Sequence, residues 1–502
     1  MTMPIEGRER SGTFVADAAA ACIAIILGLI AEYLFHGKPI GASFPAFAVL
    51  CAAGLVLALR LRGRSLPRSA WIVMLPLVGF SGMLAFRANP ALACINVACS
   101  FGSFLLLVSV ASGRKVRDYD LSGYAKLVAR SIAFIPSGVR TAVGLWGYGT
   151  RDAKRGRVRQ FLKGALIALP FLLAFGALFA SADLAFDKFF RNLLSGFSFL
   201  RFQDAVFWVF IAAAFLLGAY VAAGKTHEDP SGAEAVPESG SDHVLSISTS
   251  LALVNALFLA FIVFQVEYLF GGAGNVGRLG LTYATYARRG FFELLAVTGL
   301  SFLMLLGFER LLSGKGGGHA KAFKALSSVH VLLVGAVIAS AHQRLVLYED
   351  AYGFTTPRFF AHAFVFLLGA MFLVLAAKIV LDRDGRWSAF RLLAAAAVFC
   401  ACLDVINPDA FVAARNLERY RQTGKIDATY LAGLSSDAIP TAIVLLDVKD
   451  PDVAVRYAEG LRRNPYVRAL SARPWYAFDF SDAAAASLLR ARASDAASPK
   501  GY

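Results

Sequence analysis

Residues 359–381 read FFAHAFVFLLGAMFLVLAAKIVL, an unbroken apolar run with one early His and one late Lys. At about 1.5 Å per residue, such a helix reaches across ~30 Å of hydrocarbon. Residues 13–35, 41–60, 69–86, 91–111, 161–181, 204–223, 247–270, 290–312, 326–345 and 390–406 have the same character. Lipid offers no water to an unpaired backbone amide, so segments like these cross it as helices. The expected fold is therefore all-α: a polytopic helical membrane protein with about eleven transmembrane helices and a small C-terminal helical domain. The last segment is the shortest, with an apolar run only over residues 392–403. Arg391 can snorkel at one end and Asp404 can reach water at the other.

Composition supports the class. Of 502 residues 58% are hydrophobic and 17% charged, against about a quarter charged in a soluble chain. The formal charge of +16 does not point to nucleic acid. The basic residues fall on alternate loops: Arg8 and Arg10; Arg60, Arg62, Arg64 and Arg68; residues 112–160; Lys315, Lys321 and Lys324; Arg383 and Arg386. By the positive-inside rule these loops and the N-terminus are cytoplasmic, and eleven crossings put the C-terminus outside. The six cysteines, Cys22, Cys51, Cys94, Cys99, Cys400 and Cys402, all sit in apolar segments. They read as packing residues rather than disulfides or metal ligands. The first apolar run is long for a cleavable signal and reads as a retained anchor.

The chain divides as follows. Residues 1–111 hold transmembrane helices one to four. Residues 112–160 form a basic segment, with eleven Lys and Arg against three Asp. Its interleaved Tyr124, Leu127, Ile132, Phe134 and Trp146 suit amphipathic helices on the anionic lipids of the inner leaflet. Residues 161–223 hold helices five and six with an interfacial helix at 184–202 on the outer side. Residues 224–246, rich in Gly, Pro, Ser and acids, form a cytoplasmic linker. Residues 247–406 hold helices seven to eleven. Residues 407–502, with thirteen basic and eleven acidic residues, form a helical extracytoplasmic tail punctuated by proline.

Two motifs match by letter and fail by context. GAGNVG at 272–277 follows a membrane helix instead of a strand, and GAYVAAGKT at 218–226 is one residue too long for a phosphate loop. No His-Glu-x-x-His or Gly-x-Ser-x-Gly is present, so the usual zinc-protease and serine-hydrolase residues are missing. No catalytic residue, metal site or cofactor is expected. His330 and His362 read as hydrogen-bonded packing residues.

One polar band carries a site hypothesis. Glu267 and Tyr268 close the seventh helix, Tyr283, Tyr286, Arg288 and Arg289 precede the eighth, and Glu293 lies a turn inside it. His342, Gln343, Arg344, Tyr348, Glu349, Tyr352 and Arg358 fall at the same level around the end of the ninth. Ionisable groups at the edge of hydrocarbon need partners, so the acids and guanidinium groups are expected to pair. An interfacial aromatic belt would explain Tyr and Arg, but not Glu267 and Glu293.

The same residues carry a resemblance. YLFGG at 268–272, LTYATYARRGFFEL at 281–294, RLVLYEDAYGFTTPR at 344–358, NPDAFVAARNLERY at 407–420 and YLAGLSSDAIP at 430–440 resemble an uncharacterised family of bacterial polytopic membrane proteins catalogued only as a domain of unknown function. The resemblance runs from about residue 250 to 480 and implies a bacterial inner-membrane protein. It brings no activity and no catalytic residues. The first functional expectation is a non-enzymatic inner-membrane protein acting in envelope sensing or assembly. Alternatives are a small-solute or ion transporter using the polar band, and a membrane-embedded transferase with an acid or base near Glu267 or Glu293. Helix centres nearly bare of polar groups, apart from Asp17, Glu32, His330 and His362, favour the first.

Overall fold

The computed structural model describes residues 5–147, 200–224, 242–269, 291–312, 318–381, 383–470 and 474–497. Among these every regular element is a helix. The membrane-type helices are α1 (Ile5–Phe35), α2 (Ser43–Leu61), α3 (Trp71–Met83) and α4 (Pro90–Ala111), with α5 (Leu121–Ser131) and α6 (Phe134–Gly147) following. Then come α7 (Leu200–Gly224), α8 (Asp242–Leu269), α9 (Phe291–Leu312), α10 (Gly318–Tyr352), α11 (Thr356–Val380) and α12 (Gly385–Ile406). Among the described residues six helices are long and apolar enough to cross a membrane, and four shorter stretches of helix are apolar too. The stretch expected at 161–181, and most of the helix expected at 184–202, lie outside the described residues.

Two helical cores result. The first packs Ala20, Ala24 and Leu27 of α1 against Leu55 and Leu59 of α2, Leu107 of α4 and Leu217 and Tyr220 of α7. Small residues let these backbones approach. A side chain at Gly28 would press on the Val209 carbonyl, and one at Gly54 on the Tyr220 hydroxyl, which donates to the Cys51 carbonyl at 2.9 Å. The second core packs α8, α9, α10 and α11 around Leu251, Leu305, Val334 and Leu375. Leu92, Ala363 and Leu403 join α4, α11 and α12 across the two.

The helix ends sort into two faces. At the basic face, Arg62 pairs with Asp17 and donates to the Tyr220 carbonyl. Arg64 donates to the last carbonyls of α7 and α4, at Ala223 and Ala111. These cations satisfy carbonyls that a helix C-terminus leaves open. Arg117 lies over the ring of Phe390 at the start of α12. Of the segment expected to lie on the membrane surface, α5 is amphipathic, with Val128 and Ile132 exposed. Helix α6 instead runs antiparallel along α7, where Gly138 meets the Ala214 backbone and Gly218 meets that of Phe134.

The opposite face carries the tail, which forms α13 (Pro408–Thr423), α14 (Ala428–Ala432), α15 (Ile439–Ala442), α16 (Pro451–Arg463), α17 (Pro465–Ala469) and α18 (Phe480–Ala497). Its core is Val412, Leu431, Ile439, Leu445, Tyr457 and Ala485, with Phe354 of the α10–α11 connection and Phe359 of α11 packed against it. Helix α12 leads straight into α13. Asn407 sits between them at φ 57° and caps both: its backbone N–H donates to the Leu403 carbonyl, and its side-chain oxygen accepts the Ala410 N–H. Asparagine is one of the few residues that tolerates that left-handed backbone.

Candidate functional site

The tail is fixed to the membrane helices by buried carboxylates. Asp437 of the tail accepts the backbone N–H groups of Ala88 and Asn89, each at 2.9 Å. Its other oxygen accepts the Ser481 hydroxyl and, at 3.5 Å, the Asn407 amide. Asn89 in turn caps α4, accepting from Ala91 and Leu92, with Pro90 supplying the pre-set first position. Asp409 accepts the Thr356 hydroxyl at 2.8 Å and the Ser435 hydroxyl at 2.5 Å. Tyr430 accepts the Thr356 N–H, and Asn416 brackets Phe354 through both its backbone groups. Here the chain turns at Gly353, φ 82°, with the Asn416 side chain directly against it.

Asp404, expected at water, is 1% exposed and accepts the Asn96 amide at 2.8 Å, while its backbone carbonyl accepts Arg87 Nε at 2.7 Å. Asp479 caps α18, accepting from Ser481 and Asp482. Asp482 accepts the Ser436 hydroxyl. Burial raises the Asp437 carboxyl above its usual range, against the opposing pull of Ser481, Arg87 and the two backbone donors. Burial, then the Asp482 charge, pushes Asp479 up to about 7.

The expected polar band falls only in part among the described residues. Glu267, Tyr268 and Glu293 fall on α8 and α9, but their side chains, and all of Tyr283, Tyr286, Arg288 and Arg289, lie outside the described residues. The α10–α11 half is described. Arg358 lies 4.1 Å over the Tyr348 ring and donates to the Gly353 carbonyl. The Tyr352 ring lies tilted against that of Tyr348. Arg344 is buried. His342 does not join them; it meets His362, Nδ1 to Nδ1 at 3.0 Å, and His362 Nε2 contacts Glu349 Oε2 at 2.8 Å. So His362, read as a packing residue, links two members of the band. His342 and Glu349 are seven residues apart and so share a helix face, which is the signal available in sequence.

More polar groups are buried in the second core than bare helix centres suggest. Asn255 joins α8 to His330 at 2.8 Å and to the Leu326 carbonyl. Lys378 pairs with Glu309 at 2.5 Å. Among the described residues no group of three His, Cys, Asp or Glu is placed to hold a metal ion.

The family model described as Domain of unknown function (DUF4153) matches residues 74–445. The chain belongs to that family. The DUF4153 match starts well upstream of residue 250, so much of the first core belongs to it too. It takes in Asp404, Asp409, Asp437 and the His342–His362–Glu349 chain, and stops before Asp479 and Asp482. No curated protein and no solved structure matches the chain.

Proposed function

We propose that this chain is a multipass protein of the bacterial inner membrane that acts in envelope sensing or assembly through its tail. In this reading the basic face is cytoplasmic and the tail extracytoplasmic. The gathering of Arg62, Arg64, Arg114, Lys115, Arg117 and Lys126 at the face opposite the tail supports it. The ten apolar helices, with 161–181 as another crossing, give eleven spans. The observation that carries the role is the Asp437 clasp. It holds two backbone donors of the α3–α4 connection, so a load or ligand on the tail is transmitted to the helices as to one body. Replacing Asp437 by Ala in the native host should impair the envelope barrier, read as entry of a large hydrophobic dye, with solute flux in vesicles unchanged. An intact barrier in cells carrying a stably inserted variant would count against the role.

A second reading, transport of a small solute or ion, draws on Asn255, His330 and Lys378, buried along the second core, and on the partly buried Glu309. It predicts the reverse pattern: altered flux on His330→Phe and an intact barrier.

A further inference from the structure

Glu349, His362 and His342 form a chain in which each polar contact has one donor and one acceptor. Glu349 is 4% exposed, and among the described residues its Oε1 has no hydrogen-bond partner. His362 is half-buried between the other two, using both ring nitrogens, 2.8 Å from Glu349 and 3.0 Å from His342. Both nitrogens of one ring cannot reach a single metal ion, so these three groups do not share one. His342 lies beside Phe366 and is the partly exposed end.

The hydrogens can be placed in two ways. With Glu349 ionised, it can only accept, so His362 carries its proton on Nε2 and accepts on Nδ1; His342 must then donate from Nδ1 and has a bare Nε2. With Glu349 protonated, it donates to His362 Nε2; His362 donates from Nδ1 to His342 Nδ1, and His342 carries its proton on Nε2. The second arrangement holds one more proton than the first, and the heavy atoms are in the same places.

We infer that Glu349, His362 and His342 are a proton relay: a site that takes up one proton at His342 Nε2 and delivers one to Glu349. The proton comes from hydronium or an acid of the medium, and forms the new N–H bond at His342 Nε2. The His342 Nδ1–H bond breaks as His362 Nδ1–H forms, and the His362 Nε2–H bond breaks as the Glu349 O–H forms. The intermediate is a His362 imidazolium against the Glu349 carboxylate. Nothing is oxidised or reduced, and the group gains one positive charge. Charged and titratable neighbours are Arg344, Tyr348 and Asp350 on α10 and Arg358 on α11, Arg358 being held by Gly353 and Tyr348. From the tail, Asp409 is engaged with Thr356 and Ser435, and Arg419 lies at Gly353. From α8 and α9 the ionisable residues of this level are Glu267, Tyr268 and Glu293. The relay goes beyond the envelope role and does not rest on it.

The test uses the full chain in lipid nanodiscs, with histidine labelled by nitrogen-15, titrated by NMR and infrared spectroscopy. Resonances are assigned by their loss in His342→Gln and His362→Gln. The expected result is a tautomer change at His342, from Nδ1–H to Nε2–H. A protonated carboxyl stretch should rise at the same midpoint. Glu349→Gln should remove that stretch and move the His342 midpoint toward acid by about one pH unit or more. The coincidence of the two signals is read in the wild-type chain, so it decides the matter even where a variant folds poorly. A His342 that titrates with no carboxyl signal, or with the same midpoint in Glu349→Gln, would overturn the relay.

Discussion

Asp437 shows how much one side chain can carry. Two backbone N–H groups, the Ser481 hydroxyl and the Asn407 amide all converge on its carboxylate. A buried donor left without a partner costs about 1–3 kcal/mol. Asp437→Ala orphans both backbone donors and should lower stability by roughly 2–5 kcal/mol. Asp437→Asn, which keeps one acceptor oxygen toward Ala88 and Asn89, should lose less. Thermal unfolding of the detergent-purified protein measures both, and equal stability of Asp437→Ala and wild type would show that the clasp holds nothing. Asp479 gives a pH dependence. Its folded-state carboxyl stands at about 7 against 3.8 for an unperturbed one, so the folded state holds the proton more tightly. The stabilisation is complete below about pH 4 and is lost as pH rises through about 7. The tail should therefore unfold at lower temperature at pH 8 than at pH 5. Asp479→Asn keeps a good helix cap and should flatten that slope by about 1–3 kcal/mol. An unchanged slope would mean another group sets it. None of this is legible in the sequence. Asp404 and Asp437 are isolated acids there, and only the fold turns them toward residues 88–96, while Asp479 has only its neighbours Ser481 and Asp482 to mark it. His342 and Glu349 are legible as a pair on one face, but their connector His362 comes from the next helix.

At the scale of helices, sequence and structure agree wherever length and apolarity suffice. Helices α2, α4, α8, α9 and α11 start and stop within a few residues of the hydropathy limits, because burial in lipid dictates both. Helix α12 shows where that signal understates the element. Its apolar run covers residues 392–403, yet the helix has 22 residues, about 33 Å. Asp384 caps its start, Arg391 folds over Trp387, and Asn96 donates to one oxygen of Asp404. Polar partners, which hydropathy ignores, let the ends extend. Helix α6 shows the opposite failure. Aromatic and basic residues suggest a surface helix, but the glycines decide. Gly138 and Gly218 each face the other helix's backbone, so a side chain at either has no room. Gly138→Leu should force α6 off α7 and cost about 1–3 kcal/mol or more, since backbone cannot yield as a side chain does. Gly144→Leu is the control, because a Cβ there meets nothing within 4 Å. If both variants unfold at the wild-type temperature, the close pairing of α6 and α7 is wrong.

The whole molecule turns on which face is which. Basic loops meet at one end, through Arg62, Arg64 and Arg117. At the other, the tail touches the connections after α1, α3 and α10: Phe478 receives the Ala42 N–H, Phe480 donates to Ala85 and stacks on Phe86, and Asn416 brackets Phe354. The two ends are separated by the length of α12, so a membrane around the apolar helices leaves them on opposite sides. Single cysteines test this in a background with the six native cysteines replaced. Ser435 is a poor site, being buried and bonded to Asp409. Lys425, exposed on the tail, and Lys126, exposed on α5, are suitable. In sealed right-side-out vesicles, an impermeant thiol reagent should label Lys425→Cys and leave Lys126→Cys unlabelled until the membrane is opened. Gly232→Cys, in the linker at 224–246, should follow Lys126→Cys. The two halves of the result answer different questions. Labelling of Lys126→Cys alone would keep the two-faced architecture and invert it, overturning the positive-inside assignment. Labelling of both, or of neither, would mean that α12 does not cross, and the tail contacts would then have to form on the basic side.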